Sequence, residues 1–365
     1  MKKFAKMSLV AAVAVAGLTN VNAASLEEAI KGVDVSGQFR YRYQDRSGDA
    51  ALAGDSVNST DVEVEVGVKV PVNDMVTAVF KIDTTRNNAN GAFSTDMVDI
   101  EDYYFQYANG PVTVLAGQQN IPGRLTDGAQ GDGLVALYNA GAFTVGAAAF
   151  NNHTVATTTD GTTPNGINGG EDVYSVIAMG NIGPVSLLGQ YADVKDLAES
   201  FNVKADASFG PAKVGVEYTE TEADANTSLD MSTLKAYISG KIDIVSAKLS
   251  YVTTGDDNSG SLHAASGSYV ASLETPSEYL LWQLGSATNA DMDVFALDAS
   301  VAVTDAVSVR AAYADGEIGT EDVTEMLGQV SYKMSKNLNT YVRYSNFERG
   351  TGESDRGRIE VKYSF

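Results

Sequence analysis

The chain has 365 residues, with 25 Lys plus Arg against 47 Asp plus Glu, a formal net charge of -22 and no cysteine. So acidic a polypeptide is a poor partner for nucleic acid, because phosphate backbones are held by Lys and Arg. Without a thiol it has no disulfide framework, thiolate metal site or thiol nucleophile.

The first residues, "MKKFAKMSLVAAVAVAGLTNVNA", place Lys2, Lys3 and Lys6 before an apolar stretch from Leu9 to Leu18 and small residues around Ala23. That is the layout of a cleaved secretory signal over residues 1–23. The mature chain, residues 24–365, then carries 22 basic against 47 acidic residues, a formal charge of -25. In "SLEEAIKG", Ser25 and Glu28 fit a capping box, which predicts a short helical segment over 24–32. Beyond the leader no apolar run reaches the roughly 20 residues of a membrane-crossing helix.

From Val33 the period becomes two. In "VDVSGQFRYRYQ", Val33, Val35, Gly37, Phe39, Tyr41 and Tyr43 share one face, and Asp34, Ser36, Gln38, Arg40, Arg42 and Gln44 share the other. "DVEVEVGVKVP" repeats it, with Val62 to Val70 alternating against Asp61, Glu63, Glu65, Gly67 and Lys69. A helix cannot keep such a pattern on one side.

Continued along the chain, the alternation predicts eighteen strands, at about 34–44, 61–71, 75–84, 98–107, 112–119, 133–140, 142–150, 172–180, 185–194, 200–209, 212–221, 230–240, 242–253, 291–303, 306–315, 322–333, 338–347 and 355–365. Their connectors alternate in kind. "VND" after Pro71, "NGP" at 109–111, "NIGP" at 181–184, "GP" at 210–211, "TD" at 304–305 and "MSKN" at 334–337 are tight turns. Between them lie polar loops at 45–60, 85–97, 120–132, 151–171, 222–229 and 254–290, with short connections at 195–199, 316–321 and 348–354 on the same side. Tight turns at one end and long loops at the other predict an all-β, antiparallel transmembrane barrel of about eighteen strands in a bacterial outer membrane, its short turns periplasmic and its long loops extracellular.

The last strand, "RGRIEVKYSF", puts Ile359, Val361, Tyr363 and Phe365 on the apolar face and Arg358, Glu360, Lys362 and Ser364 on the polar one. Tyr363 and Phe365 fit an aromatic girdle, and a terminal aromatic of this kind resembles an insertion signal read by barrel assembly machinery. Closure pairs the first strand with both the second and the last. Arg40 and Arg42 therefore face Glu63 and Glu65 on one side and Glu360 and Lys362 on the other, as cross-strand pairs worth about 0.2–1 kcal/mol each. Such a ladder either only stabilises the wall or sets a transverse field for permeating solutes.

"SLEEAIKGVDVSGQFRYRY", "VLAGQQN" followed by "TDG" within 114–128, and the aromatic end resemble the Campylobacter-type major outer membrane porin family. The resemblance implies an eighteen-stranded barrel, commonly a trimer, that passes small hydrophilic solutes and favours cations.

An eighteen-stranded barrel leaves an aqueous channel that inward-folded loops must narrow. The loop "NIPGRLTDGAQGD" offers Arg124, Asp127 and Asp132 for that constriction. In loop 254–290, "EYLLWQL" carries the only tryptophan, Trp282, and suits the lumen, a neighbouring subunit or its own small cluster. Asp99, Glu101 and Asp102, like Asp256 and Asp257, are oxygen donors suited to Ca²⁺, but neither set has a calcium-loop spacing, so no metal ligand is assigned. Such a surface could be bridged by calcium to lipopolysaccharide. A serine hydrolase needs a histidine base beside its nucleophile. His153 and His263 both fall in predicted loops with no supporting acid, so no catalytic residue and no cofactor is assigned.

The leading expectation is a porin for passive diffusion of ions and small hydrophilic solutes, cation-preferring because excess acid concentrates cations. The alternatives are a substrate-specific channel, marked by an aromatic or basic track in the lumen, and a surface adhesin or structural barrel.

Overall fold

A computed structural model describes residues 32–49, 57–89, 97–125, 129–153, 172–196, 198–223, 226–257, 280–286 and 289–365. The expected leader and all but Gly32 of the expected helical segment lie outside the described residues.

Every predicted strand forms. They are β1 (Asp34–Gly48), β2 (Val57–Pro71), β3 (Val76–Ala89), β4 (Met97–Asn109), β5 (Val112–Asn120) and β6 (Gln130–Asn139). Next come β7 (Phe143–His153), β8 (Val173–Ile182), β9 (Val185–Val194), β10 (Ala198–Phe209), β11 (Ala212–Ala223) and β12 (Asn226–Ile242). The last are β13 (Val245–Thr254), β14 (Met292–Ala302), β15 (Val307–Ile318), β16 (Glu321–Lys333), β17 (Leu338–Arg349) and β18 (Gly352–Ser364). Each strand runs antiparallel to its sequence neighbours, and β1 pairs with β18, so the eighteen-stranded sheet closes on itself.

The seam runs the length of β1. Phe39 faces Tyr363 and Arg42 faces Glu360 across it, and beyond them Gly37 and Phe365 exchange two backbone hydrogen bonds of 3.0 Å. Gly37 permits that approach: a Cβ there would lie 2.2 Å from the carbonyl oxygen of Glu65 and 2.8 Å from the Phe365 ring.

Several strands outrun the alternation that predicted them, mostly at the long-loop end. β1 continues from 44 to Gly48, β3 from 84 to Ala89, and β12 starts at Asn226 rather than 230. The backbone ladder continues there without an apolar face to mark it. The expected 222–229 loop is accordingly a correction, since β11 and β12 leave only 224–225 between them. His153 is likewise not in a loop; it ends β7 and is buried.

The two faces differ as the alternation requires. Phe39, Tyr103, Leu134, Phe295, Val342 and Ile359 are exposed large apolar side chains, facing the same way on a sheet that needs lipid to cover them. Toward the long loops this face ends in tyrosines whose hydroxyls donate to nearby carboxylates: Tyr174 to Asp172 at 3.0 Å, Tyr251 to Asp293 at 2.8 Å and Tyr313 to Asp315 at 3.1 Å. A ring with a wet tip is what a membrane interface selects. Toward the tight turns it ends in Tyr107, Phe209, Tyr332, Tyr363 and Phe365, so an aromatic girdle marks each boundary.

Candidate functional site in the narrowed lumen

The opposite face lines the interior and is charged. The wall made by β2, β3 and β4 carries Asp61, Glu63, Glu65, Asp83, Glu101 and Asp102, with Lys81 beside Glu65, Glu101 and Asp102. A register shift between Lys81 and Ile82 gives β4 one extra residue, so consecutive Glu101 and Asp102 both approach Lys81. Glu101 forms an ion pair with Lys81, and Glu65 lies 3.5 Å from it.

The predicted arginine ladder forms with one change of partner. Arg40 pairs with Glu63 and lies 3.7 Å from Asp61; Arg42 donates to Glu360 at 3.1 Å. Glu65 does not meet either arginine, because the register sets it opposite Gln38, whose Nε2 donates to it at 2.8 Å. Asp61, which sequence reasoning did not select, takes the position opposite Arg42. Lys362 is the register partner of Arg40.

Two segments fold inward and cover part of the opposite wall. The first follows β5. Ile121, Leu125 and Ala129 are buried in an apolar cluster with Val135, Phe150 and Val173. From this anchor Arg124 reaches Glu217 on β11, donating from Nε at 2.6 Å and from a terminal nitrogen at 3.1 Å. Its backbone N–H donates to Gln190 on β9 at 2.6 Å. β9 and β11 lie well around the ring from β5, so these contacts cross the interior. Gly123 has a φ of +123°, and a Cβ there would overlap the Gln190 amide, so no other residue fits the bend.

Glu217 is buried and also accepts from Asn202 at 3.0 Å. The other two candidates from that loop do not join Arg124. Asp127 lies outside the described residues. Asp132 belongs to β6, paired with Gln118, on the face that carries Leu134 and Tyr138, so strand alternation turns it away from the lumen.

The second inward segment is 280–286, the described part of the loop containing Trp282. Leu281, Trp282 and Leu284 pack on Val294, Ala296, Ala312, Ala314, Val323 and Leu327, an apolar patch of the inner wall. Of the three placements open for "EYLLWQL", residues 280–284 take the lumen, while Glu278 and Tyr279 lie outside the described residues. Glu325 on β16, with 0% exposure, fixes the hook. Its carboxylate accepts the backbone N–H groups of Trp282 at 3.1 Å, Gln283 at 3.0 Å and Leu284 at 2.8 Å, together with the Ser345 hydroxyl. The Gln283 side chain donates to the carbonyl oxygen of Ser354 at 3.1 Å.

Around the Trp282 ring stand Arg343, Arg356 and Arg358, with guanidinium carbons 5.0, 4.7 and 4.9 Å from its centroid. Arg358 was a sequence candidate; Arg343, Arg356 and Glu325 were not, since nothing local in "SYKMSKNLNTYVRYS" or "EDVTEML" says which loop will land on them.

Two cavities follow the inner wall of β10 to β14. One of about 380 Å³ is lined by Lys213, Ser239, Lys248, Asp298 and Ser300, and one of about 190 Å³ by Arg124, Lys204, Glu217, Lys235, Lys248 and Leu280. They share Lys248, so a lysine-lined path leads from the tight-turn end to the tips of both inward segments. Among the described residues no group of three or more His, Cys, Asp or Glu side chains is arranged to hold a metal ion.

A closed barrel, lipid-facing outside, charged inside and narrowed by two infolded segments, defines an outer-membrane porin-type channel. The chain belongs to the Campylobacter major outer membrane protein family, whose sequence profile matches residues 1–365. No curated protein matches it in sequence. Among solved structures, Pseudomonas aeruginosa OpdQ superposes with a TM-score of 0.72 at 12% identity, covering 92% of this chain and 99% of that one. Pseudomonas aeruginosa OccK2 (OpdF) in complex with glucuronate gives 0.72 at 12% identity, covering 92% and 98%. Pseudomonas aeruginosa OccK3 (OpdO) gives 0.70 at 12% identity, covering 93% and 97%. At such identity the likeness concerns the fold.

Proposed function

We propose that the barrel passes ions and small hydrophilic solutes by passive diffusion, with a preference for cations. The observation that carries this is the disposition of charge: six carboxylates, Asp61, Glu63, Glu65, Asp83, Glu101 and Asp102, on β2 to β4, and lysines, in part paired with Asp206 and Glu217, along β10 to β13 across the lumen. Opposed walls of this kind impose a transverse field that orients a dipolar solute. The preference for cations rests on the net charge of -22, which raises their concentration near the channel. Arg40, Arg42, Glu63, Glu65, Glu101, Arg358, Glu360 and Lys362 act here as pore lining, and Arg124 as the constriction. In the same reading the protein works as a homotrimer among lipid and lipopolysaccharide, and Tyr363 and Phe365 serve its assembly. Planar-bilayer recording tests the proposal. Stepwise openings with a zero-current potential of cation-selective sign support it; an anion-selective sign rejects the preference, and a silent bilayer rejects the channel.

A second reading, a channel specific for anionic solutes, is favoured by the lysine path and the arginines around Trp282. Glucuronate, the ligand in the Pseudomonas aeruginosa OccK2 complex, is of that chemical class. Saturation of current with rising solute concentration separates a specific channel from a diffusion pore.

A further inference from the structure

We propose that Lys213, Lys241 and Lys248, at the tight-turn end of the lumen, form a binding subsite for the phosphate group of a small phosphorylated solute. The proposal rests on the reading of the barrel as a solute channel and gives its lysine path a ligand class.

The strand register builds the place. Ser239 on β12 lies between Lys213 on β11 and Lys248 on β13, as the cross-strand partner of both. At the next position of the same face toward the turn, Lys241 pairs with Ser246, and Ser246 with Ser300 on β14. Three lysines and three hydroxyls thus line one cavity of about 380 Å³. Adjacent strands lie about 4.8 Å apart, so Lys213 and Lys248 rise on either side of the Ser239 hydroxyl.

Positive charge is left over there. Asp298, the register partner of Lys248, has both oxygens engaged by Arg310, whose Nε donates at 3.0 and 2.9 Å and whose terminal nitrogen donates at 2.6 Å. The Lys248 ammonium stands instead 5.0 Å from the centroid of the Tyr237 ring. Among the described residues no carboxylate forms an ion pair with Lys241 or Lys248. Lys213 lies 3.3 Å from Asp206, but that carboxylate also accepts from the Tyr237 hydroxyl and lies 3.9 Å from Lys204. Glu217, 3.9 Å from Lys204, is held by Arg124. Asp206 and Asp298 therefore face four cations, Lys213, Lys241, Lys248 and Arg310.

A lysine ammonium is a compact charge with three rotatable donors, and each serine hydroxyl adds one more. Donors spread over a concave wall suit an anion whose oxygens point several ways, whereas a planar carboxylate is matched best by an arginine fork. A phosphate monoester carries about -1.5 to -2 charge near pH 7 and three strong acceptor oxygens. The net charge of -22 keeps anions scarce near this protein, so a phosphorylated solute gains from a local holding point.

The detergent-solubilised barrel is titrated by calorimetry with inorganic phosphate, and with gluconate as the carboxylate comparison, at about pH 7.5, where phosphate is mainly dianionic. Phosphate is expected to saturate at lower concentration than gluconate. In Lys241→Gln/Lys248→Gln phosphate affinity falls about tenfold or more, the scale of one lost charged hydrogen bond. Lys333→Gln/Lys336→Gln removes the same charge at the end of β16 and in the turn after it, outside the cavity, and leaves affinity within about twofold at physiological salt, where distant charges are screened. Ser239→Ala lowers it by less than the cavity pair. Heat-modifiable migration on gels verifies that each barrel is closed; if the cavity pair does not close, single Lys248→Gln carries the comparison. Equal phosphate affinities in the two lysine pairs, or gluconate binding as tightly as phosphate, overturn the subsite. Phosphate binding with a silent bilayer overturns the channel reading and leaves the subsite; KCl steps without phosphate binding do the reverse.

Discussion

Glu325 accepts the backbone N–H of Trp282 at 3.1 Å across 43 positions of sequence, and no solvent reaches its carboxylate. A buried charge is tolerated only where hydrogen bonds replace its hydration, and here three consecutive N–H groups and a hydroxyl do so. The same contacts carry the hook into the lumen. Glu325→Gln keeps the shape but sets an NH₂ donor against N–H donors, at about 1–3 kcal/mol for each group left unsatisfied. The expected result is a closed barrel with red-shifted Trp282 emission and larger single-channel conductance.

Arg124 and Glu217 form the corresponding strut for the first inward segment. Removing one partner of a buried ion pair costs about 3–5 kcal/mol, and the Asn202 amide and Lys204 reduce that cost here. Arg124→Ala should release the segment tip, raising conductance and lowering the temperature at which the barrel unfolds on gels. Glu217→Gln should do the same to a lesser degree, because an amide oxygen can still accept from the Arg124 guanidinium, while the backbone bond of residue 124 to Gln190 is kept in both variants.

The eighteen strands were legible from the chain because one face of each must meet lipid and the other water, a rule that acts residue by residue. The constriction was legible only in part. Arg124 could be picked out as a charge among glycines, but its partner Glu217 lies 93 positions away, in a strand whose own pattern reads as ordinary lumen lining. Asp132 was misplaced because β6 begins at Gln130, earlier than its apolar alternation. Trp282 was visible as an oddity; its landing place was not, because a loop's apolar patch specifies that it is buried and not against what.

If the carboxylates on β2 to β4 attract cations, neutralising them must weaken the preference. Glu63→Gln/Glu65→Gln/Glu101→Gln should move the zero-current potential in a KCl gradient toward zero. Arg42→Gln, on β1 beside the same carboxylates, should shift it in the opposite sense. An unchanged potential in the triple variant would assign selectivity to the loops at the mouth.

Gly37 tests the seam. In Gly37→Val the side chain meets the Glu65 carbonyl and the Phe365 ring, displacing β18 where it ends. The barrel should lose heat resistance, whereas Gly328→Val on β16, where a Cβ meets nothing within 4 Å, should leave it nearly unchanged.

Because β1 is completed by β18, ring closure joins side chains such as Arg42 and Glu360, 318 positions apart. Throughout export the polypeptide therefore travels with two raw margins, each able to recruit a stranger's strand. Contacts so distant along the chain form slowly, so the interval before the circle shuts is when this protein is most exposed to tangling. A copy lacking its final dozen residues can never end that interval.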